Sequence, residues 1–119
     1  DFSDAVVTRA SFMDTELVGA RFRKTNLEKS EFEGADLTDA DFRGAYLRGV
    51  IFLDATLDGA RFKDANMEWL DLTNVDFGTA DLTGANLRQA DLAGARISTS
   101  NKDYVLSQNI VNGDKIVWQ

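Results

Sequence analysis

A large apolar residue returns at every fifth position for almost the whole chain, and this period constrains the fold more than any other feature. The series runs without interruption from residue 2 to residue 97. Its members are Phe2, Val7, Phe12, Leu17, Phe22, Leu27, Phe32, Leu37, Phe42, Leu47, Phe52, Leu57, Phe62, Met67, Leu72, Phe77, Leu82, Leu87, Leu92 and Ile97. A repeat this regular indicates an array of similar units, so it has to be interpreted before any local propensity.

Neither a helix nor a flat strand accommodates a period of five. A step of five residues moves about 140° around a helix, so successive apolar residues would not share a face. In a flat strand, an odd step sends alternate units to opposite faces. The period is satisfied when every pentapeptide contains its own bend and the large residue points inward each time. In this register Phe42 lies in the middle of the interior and Arg43 lies on the surface.

Small residues accompany the large ones at fixed offsets and indicate where each bend lies. Two positions before the large residue, most units carry alanine, as at Ala35 and Ala40. A small side chain is needed where the backbone turns a corner around a packed interior. Two positions after the large residue glycine recurs, as at Gly44 and Gly49, which is typical of a repeated turn.

Charged residues indicate how many pentapeptides close one coil. In two series of residues twenty positions apart, acidic and basic side chains alternate, whereas at a step of fifteen acids such as Glu16 and Glu31 would lie side by side. Stacked strands lie about 4.8 Å apart, where opposite charges attract and like charges repel. The clearest alternating series is Asp1, Arg21, Asp41, Arg61 and Asp81. We therefore predict a square solenoid of about five coils, each built from four pentapeptides.

This arrangement divides the surface into four faces. We number them by the first inward residue on each: Phe2 for the first face, Val7 for the second, Phe12 for the third and Leu17 for the fourth. Acidic residues dominate the third and fourth faces, and basic residues are in slight excess on the first and second. The predicted solenoid is therefore electrically two-sided.

The repeat resembles that of a known family. Residues 80–94 read Ala-Asp-Leu-Thr-Gly-Ala-Asn-Leu-Arg-Gln-Ala-Asp-Leu-Ala-Gly and resemble the tandem pattern of the pentapeptide repeat proteins. The resemblance covers residues 1 to about 100 and implies their fold, an all-β, right-handed quadrilateral β-helix. It leaves the function open, because some members mimic DNA and bind DNA gyrase or topoisomerase, whereas many have no assigned activity.

Composition excludes several classes of function. The formal charge of −7 argues against nucleic acid or an anionic membrane as the partner. The chain has no cysteine and no histidine, and its inward columns carry no charge, so we predict no enzyme, no catalytic residues, no metal and no cofactor. The chain begins at Asp1 with no signal-peptide pattern. Cytoplasm is the favoured compartment, and a lumen or the periplasm stays open because no initiator Met is present.

The register ends after Ile97, because its next inward position is Lys102. We predict that residues 1–100 form the β-helix and that residues 101–119 form a C-terminal cap, either a short helix followed by a strand or a hairpin turning at Asn112 and Gly113. The residues expected to cover the last coil are Tyr104, Leu106, Ile110 and Trp118. No such cap precedes Asp1, so that end is expected either to have lost a cap or to meet a partner, including a second copy of the chain.

Two surface features are candidate binding sites. The first is an apolar patch in outward columns that are otherwise polar, formed by Ile51, Leu53, Trp69, Tyr46 and Met13. The second is an acidic strip on the third and fourth faces, formed by Glu16, Asp36, Asp58, Asp76, Glu31 and Glu33. Because Trp69 falls at a corner between Gly49 and Gln89, we expect Gly49 to leave room for the indole, which should then share one edge with Ile51 and Leu53. The alternative is that Trp69 only covers a corner.

These features lead to two functional hypotheses. The apolar patch predicts a rigid protein-interaction scaffold, with either another protein or a second copy of the chain as the partner. The acidic strip predicts a DNA mimic that binds DNA gyrase or topoisomerase, like the members that the sequence resembles. Arginine on two faces and a register without inserted loops argue against the second hypothesis.

Overall fold

The computed structural model describes residues 1–119, and it contains few regular strands. The two strands Arg96–Ile97 (β1) and Val117–Trp118 (β2) pair in parallel. A 3₁₀ helix at Thr99–Asn101 leads into the only α-helix, Lys102–Leu106 (α1), and a second 3₁₀ helix covers Gly113–Lys115. None of its helices has the length and hydropathy that a membrane-spanning helix needs.

Elsewhere, isolated parallel bridges connect residues twenty positions apart. One column links Asn26, Tyr46, Asn66 and Asn86 in this way. The N–H of Phe42 donates to the carbonyl of Arg61 (2.9 Å), and the N–H of Arg61 donates to the carbonyl of Ala40 (3.0 Å). Adjacent layers are therefore four pentapeptides apart, and the molecule measures 34 × 21 × 20 Å along its principal axes. Continuous strands do not form because each pentapeptide is interrupted by a turn.

In nearly every unit, the turn residue with positive φ lies two positions after an inward residue; the exception is Gly78, one position after Phe77. The N–H of Ala45 donates to the carbonyl of Phe42 (2.9 Å), which closes a four-residue turn with Gly44 at its third position. Gly44 has a φ of 71°, as a type II turn requires there. Aspartate, asparagine, lysine, arginine, glutamine and one tryptophan occupy the same position in other units, also with positive φ. This backbone geometry accounts for the glycine column in the sequence.

Phenylalanine rings fill much of the interior. The rings of Phe42 and Phe22 are stacked with centroids 5.1 Å apart, and Phe42 meets Phe32 edge-to-face at 5.8 Å. The inward residues from Phe22 to Ile97 are fully buried, whereas those of residues 1–20 are half-buried. The core therefore runs along the axis of the molecule. Stacked and edge-to-face contacts between phenylalanine rings lie at its centre.

The C-terminal segment, residues 101–119, supplies hydrogen-bond partners to the last layer. On the first face, the Asn101 Oδ1 accepts from the N–H of Leu82 and its Nδ2 donates to the carbonyl of Ala80, both at 3.0 Å. On the second face, the Gln108 Oε1 accepts from the N–H of Leu87 (2.8 Å). The backbone of the segment serves the other two faces. A carboxamide offers the donor and acceptor of a peptide group, so Asn101 substitutes for the next layer.

Apolar residues of the segment cover the core, though not all of those expected. Ile110 and Trp118 are partly buried against it, and the Tyr104 hydroxyl donates to the carbonyl of Ala85 (2.8 Å). The prediction that Leu106 covers the last coil is wrong, because Leu106 is 47% exposed and Val105 takes the buried position on α1. The hairpin alternative is also wrong, because β2 pairs with β1 in parallel rather than returning along the segment itself.

Candidate protein-contact edge around Trp69

Trp69 has a backbone conformation that is unfavourable for a bulky side chain. It occupies the third position of a turn, with a φ of 63°. Bulky residues rarely adopt positive φ, and the left-handed conformation costs an L-residue about 1–2 kcal/mol. Burial of the side chain does little to offset this cost, because Trp69 is 68% exposed.

The indole borders an apolar groove of about 550 Å³. The apolar residues lining this groove are Val50, Ile51, Leu53, Trp69, Leu70 and Val75. Val50, Leu70 and Val75 are buried, so the accessible apolar surface comes from Ile51, Leu53 and Trp69, of which the first two are 39% and 40% exposed. The structure thus brings these three side chains to one edge. We call this surface the Trp69 edge.

The other two members of the predicted patch lie apart from this groove. Tyr46 is half-buried on the opposite side of Trp69, where both residues line a second groove of about 440 Å³. Met13 is exposed but lines neither groove, since Glu33 falls between Met13 and Leu53 in their shared column. Trp69 is therefore the residue common to the two grooves.

The glycine beside Trp69 has a different role from the one expected. Gly49 does line the apolar groove. The atoms nearest to a Cβ at this position would belong to Lys29, with its Cγ at 3.0 Å. Gly49 therefore leaves space for the Lys29 side chain rather than for the indole.

Several acids of the predicted strip already have partners within the protein. Asp36 accepts from the Thr38 hydroxyl (2.7 Å), and this bond lowers the pKa of Asp36. Asp76 forms an ion pair with Arg96 at 3.3 Å. Asp58 accepts a hydrogen bond from the backbone N–H of Thr79 (3.0 Å). Glu16 lies opposite Asp36 in the bridge pattern.

Acids without ion-pair partners surround the Trp69 edge. Glu31 lies opposite Ile51, and Glu33 precedes Leu53 by one layer. Asp71 lines the apolar groove itself. The carboxylates on the third face are thus interrupted by Ile51 and Leu53, which makes a mixed apolar and acidic surface rather than a continuous acidic track.

A comparison with known protein families identifies the family of this chain. A model of the pentapeptide repeat region matches residues 1–62 and 25–101. The chain belongs to the pentapeptide repeat family. Among solved structures, a pentapeptide repeat protein from the Arabidopsis thaliana thylakoid lumen is 26% identical, with a TM-score of 0.66 over 89% of this chain and 77% of that one. Rfr23 from the cyanobacterium Cyanothece 51142 is 16% identical, with a TM-score of 0.53 over 99% and 87% of the two chains, and shows similarity of fold alone. No curated protein sequence matches significantly.

This pentapeptide repeat protein also carries a charged cluster around a buried aspartate, although the sequence predicts these residues to lie on the surface. Asp41 is only 3% exposed and accepts from the Arg43 Nε (2.8 Å) and Nη2 (2.7 Å). The Arg61 Nη2 lies 3.4 Å and the Arg23 Nε 3.9 Å from the same carboxylate. The hydrogen bond from Arg43 lowers the pKa of Asp41. One feature of the sequence points to this cluster: arginine lies near Asp41 both within its own pentapeptide and twenty positions away.

Replacing Asp41 with asparagine should make the stability of the protein less dependent on pH. Because the pKa of Asp41 is lower in the folded protein than its unfolded value of about 3.9, the ionised carboxylate stabilises the fold above about pH 4. That contribution is lost as the pH falls through the folded-state value. We expect Asp41→Asn to cost about 1.5–3 kcal/mol at neutral pH, the range for hydrogen bonds to charged groups.

Urea unfolding of both proteins at several pH values measures this effect. The difference in free energy of unfolding between the wild type and Asp41→Asn should shrink as the pH falls below about 4. A difference that stays constant between neutral and acidic pH would show that the charge of Asp41 does not stabilise the fold.

Proposed function

We propose that this pentapeptide repeat protein is a non-enzymatic, rigid interaction scaffold whose partner docks at the Trp69 edge. In this proposal residues 1–100 form a right-handed quadrilateral β-helix of about five coils, and residues 101–119 cap it. The observation that carries the proposal is Trp69 itself, a bulky residue at positive φ whose side chain is mostly exposed. The repeat imposes positive φ at this turn position, so a large exposed side chain is kept there at a cost, and tryptophan is enriched among binding hot spots.

The surroundings of the Trp69 edge favour a partner segment that combines an aliphatic side chain with lysine or arginine. The groove offers Ile51 and Leu53 to an apolar side chain, and Glu31, Glu33 and Asp71 lie around them without ion-pair partners. The whole protein carries a net charge of −7, which attracts a basic partner over a longer range.

The interior supports a preformed docking surface. Ile51 is adjacent in sequence to Phe52, whose ring is buried and contacts Phe42 edge-to-face at 5.6 Å. Trp69 is adjacent to Leu70, which is also buried. Short connections between exposed side chains and a packed core limit the conformational entropy that docking would cost.

A pair of matched double variants tests the proposal. Ile51→Lys with Leu53→Lys places two positive charges in the groove, and Val18→Lys with Leu106→Lys adds the same two charges at exposed apolar residues elsewhere. All four positions are at least partly exposed, so we expect each double variant to unfold within about 1 kcal/mol of the wild type.

Pull-downs from native extract with these proteins should then differ. We expect the wild type and the control variant to retain the partners and the groove variant to lose them. Partner binding by the wild type should also weaken at about 0.5 M salt, where charges are screened within a few ångströms. Identical pull-downs for the two double variants would contradict the proposal. Sedimentation of the purified proteins tests self-association. If the wild type self-associates and the groove variant does not, the partner is a second copy of the chain rather than a basic protein.

A second candidate function is DNA mimicry, with DNA gyrase or topoisomerase as the target. The acids of the third and fourth faces favour it. The ion pair of Asp76 and the interruption of the strip by Ile51 and Leu53 weigh against it. A gyrase supercoiling assay at rising protein concentration decides, because a DNA mimic should inhibit or protect the enzyme and an unrelated scaffold should do neither.

A further inference from the structure

We infer that the first face carries a second binding site, a phosphate-binding groove built from Arg23, Arg43, Arg61 and Lys63. This site is separate from the Trp69 edge, and the inference does not depend on the proposed function. The ligand class is a compact phosphate group, either the free ion or a small phosphomonoester.

Two adjoining grooves form the proposed site. The larger, of about 420 Å³, has no hydrophobic residue in its lining of Asp1, Ser3, Arg21, Arg23, Asp41, Arg43 and Arg61. The smaller, of about 240 Å³, is lined by Arg23, Lys24, Arg43, Gly44, Lys63 and Asp64. Arg23 and Arg43 are common to both, so the grooves form one continuous basic surface on an acidic protein.

Three cations occupy successive layers of one column. Arg23, Arg43 and Lys63 are twenty positions apart, with no acid between them in that column. Like charges at neighbouring positions of paired strands repel each other. Asp41, in the neighbouring column, is the one carboxylate within 4.0 Å of Arg23, Arg43 or Arg61. Six basic and three acidic residues line the two grooves, so the site keeps a positive excess that an anionic ligand would neutralise.

Asp41 also fixes the geometry of the site. It is buried, and its two oxygens hold the guanidinium of Arg43 through two hydrogen bonds and that of Arg61 through one. Most of the N–H donors on these guanidinium groups have no partner in the protein, and Arg23 and Lys63 donate no side-chain hydrogen bond. Arginine held in place with free donors is suited to phosphate oxygens, which accept parallel hydrogen bonds from a guanidinium group.

The overall charge favours a small ligand over a polyanion. Charges beyond the Debye length of about 8 Å are largely screened, so a single phosphate group interacts mainly with the basic cluster. A long nucleic acid would also extend over other parts of a surface whose net charge is −7. The acidic composition and a phosphate site on the first face are therefore compatible.

An NMR titration with inorganic phosphate tests the inference. The side-chain Nε–H signals of Arg23, Arg43 and Arg61 are followed at constant ionic strength and about pH 8, where phosphate monoesters are largely doubly ionised. We expect saturable shifts with a dissociation constant on the order of 1 mM. A parallel titration with glycerol phosphate distinguishes the two sources: equal binding means that the site takes phosphomonoesters, and binding of inorganic phosphate alone restricts it to the free ion.

Two matched pairs of substitutions distinguish a specific phosphate site from general electrostatic attraction. Arg23→Gln with Lys63→Gln removes one arginine and one lysine from the grooves without removing either hydrogen-bond partner of Asp41. Lys29→Gln with Arg88→Gln makes the same change in charge elsewhere. We expect the first pair to weaken binding about tenfold or more, the equivalent of one hydrogen bond to a charged group, and the second by less than about twofold. Equal weakening by both pairs, shifts that do not saturate, or equal shifts with sodium chloride would overturn the inference.

Discussion

Replacing Phe42 with alanine is expected to destabilise the protein by about 3–5 kcal/mol. The Phe42 ring is fully buried and stacked between Phe22 and Phe62, with centroids 5.1 Å away on each side. It also meets Phe32 and Phe52 edge-to-face. Because layers lie above and below, the structure has little freedom to collapse into the cavity, so most of the lost packing energy should appear in the free energy of unfolding.

Urea unfolding followed by circular dichroism measures the loss, and Phe12→Ala is the matched control. Phe12 belongs to the same type of column but is only half-buried in the first layer, so its removal should cost roughly half as much. The neighbouring surface residue Arg43 would be a poor control for this experiment, because it is the main hydrogen-bond partner of the buried Asp41. Equal losses for the two phenylalanine variants would contradict the inward register and its uneven burial.

Replacing Asn101 with leucine is expected to cost about 2–4 kcal/mol. The Asn101 carboxamide is 2% exposed and pairs with the N–H of Leu82 and the carbonyl of Ala80. Leucine has a similar volume but leaves both backbone groups buried without partners, and each such group costs about 1–3 kcal/mol. The loss should therefore exceed that expected from packing alone.

Two further variants separate the hydrogen bonds from other effects. Asn101→Asp keeps the acceptor for Leu82 but places a carboxylate beside the carbonyl of Ala80, so it should also be destabilising. Asn109→Leu changes an exposed asparagine of the same segment and should cost less than about 0.5 kcal/mol. A loss at Asn101→Leu as small as that at Asn109→Leu would show that the carboxamide does not replace the next layer.

The sequence predicted the parts of the fold that repeat. The inward positions from Phe22 to Ile97 follow from the period alone, because an error of one residue would bury charged side chains such as Arg21 and Arg61, which are exposed. Positive φ at Gly44 follows from the glycine column, since a turn with this geometry recurs in nearly every unit. The meeting of Ile51, Leu53 and Trp69 follows from the step of twenty that the charges indicate.

Features that do not repeat were harder to predict. Which residue of α1 points inward depends on where the helix starts, and a shift of one residue separates Val105 from Leu106. The role of Asn101 requires knowing that its carboxamide lies one layer beyond Leu82. The burial of Asp41 arises from long arginine side chains that fold over it, which a column register does not describe.

The measurement that tests the Trp69 edge most directly is the stability of Trp69→Gly. If Trp69 is retained for contact rather than for folding, glycine at this positive φ removes the backbone strain while the lost side chain was mostly exposed. The free energy of unfolding in urea should then stay the same or rise by up to about 1 kcal/mol, while partner capture is lost. A fall of more than about 1.5 kcal/mol would mean that the indole chiefly covers the corner at Val50 and Leu70, and would contradict the assignment of this edge as a contact site.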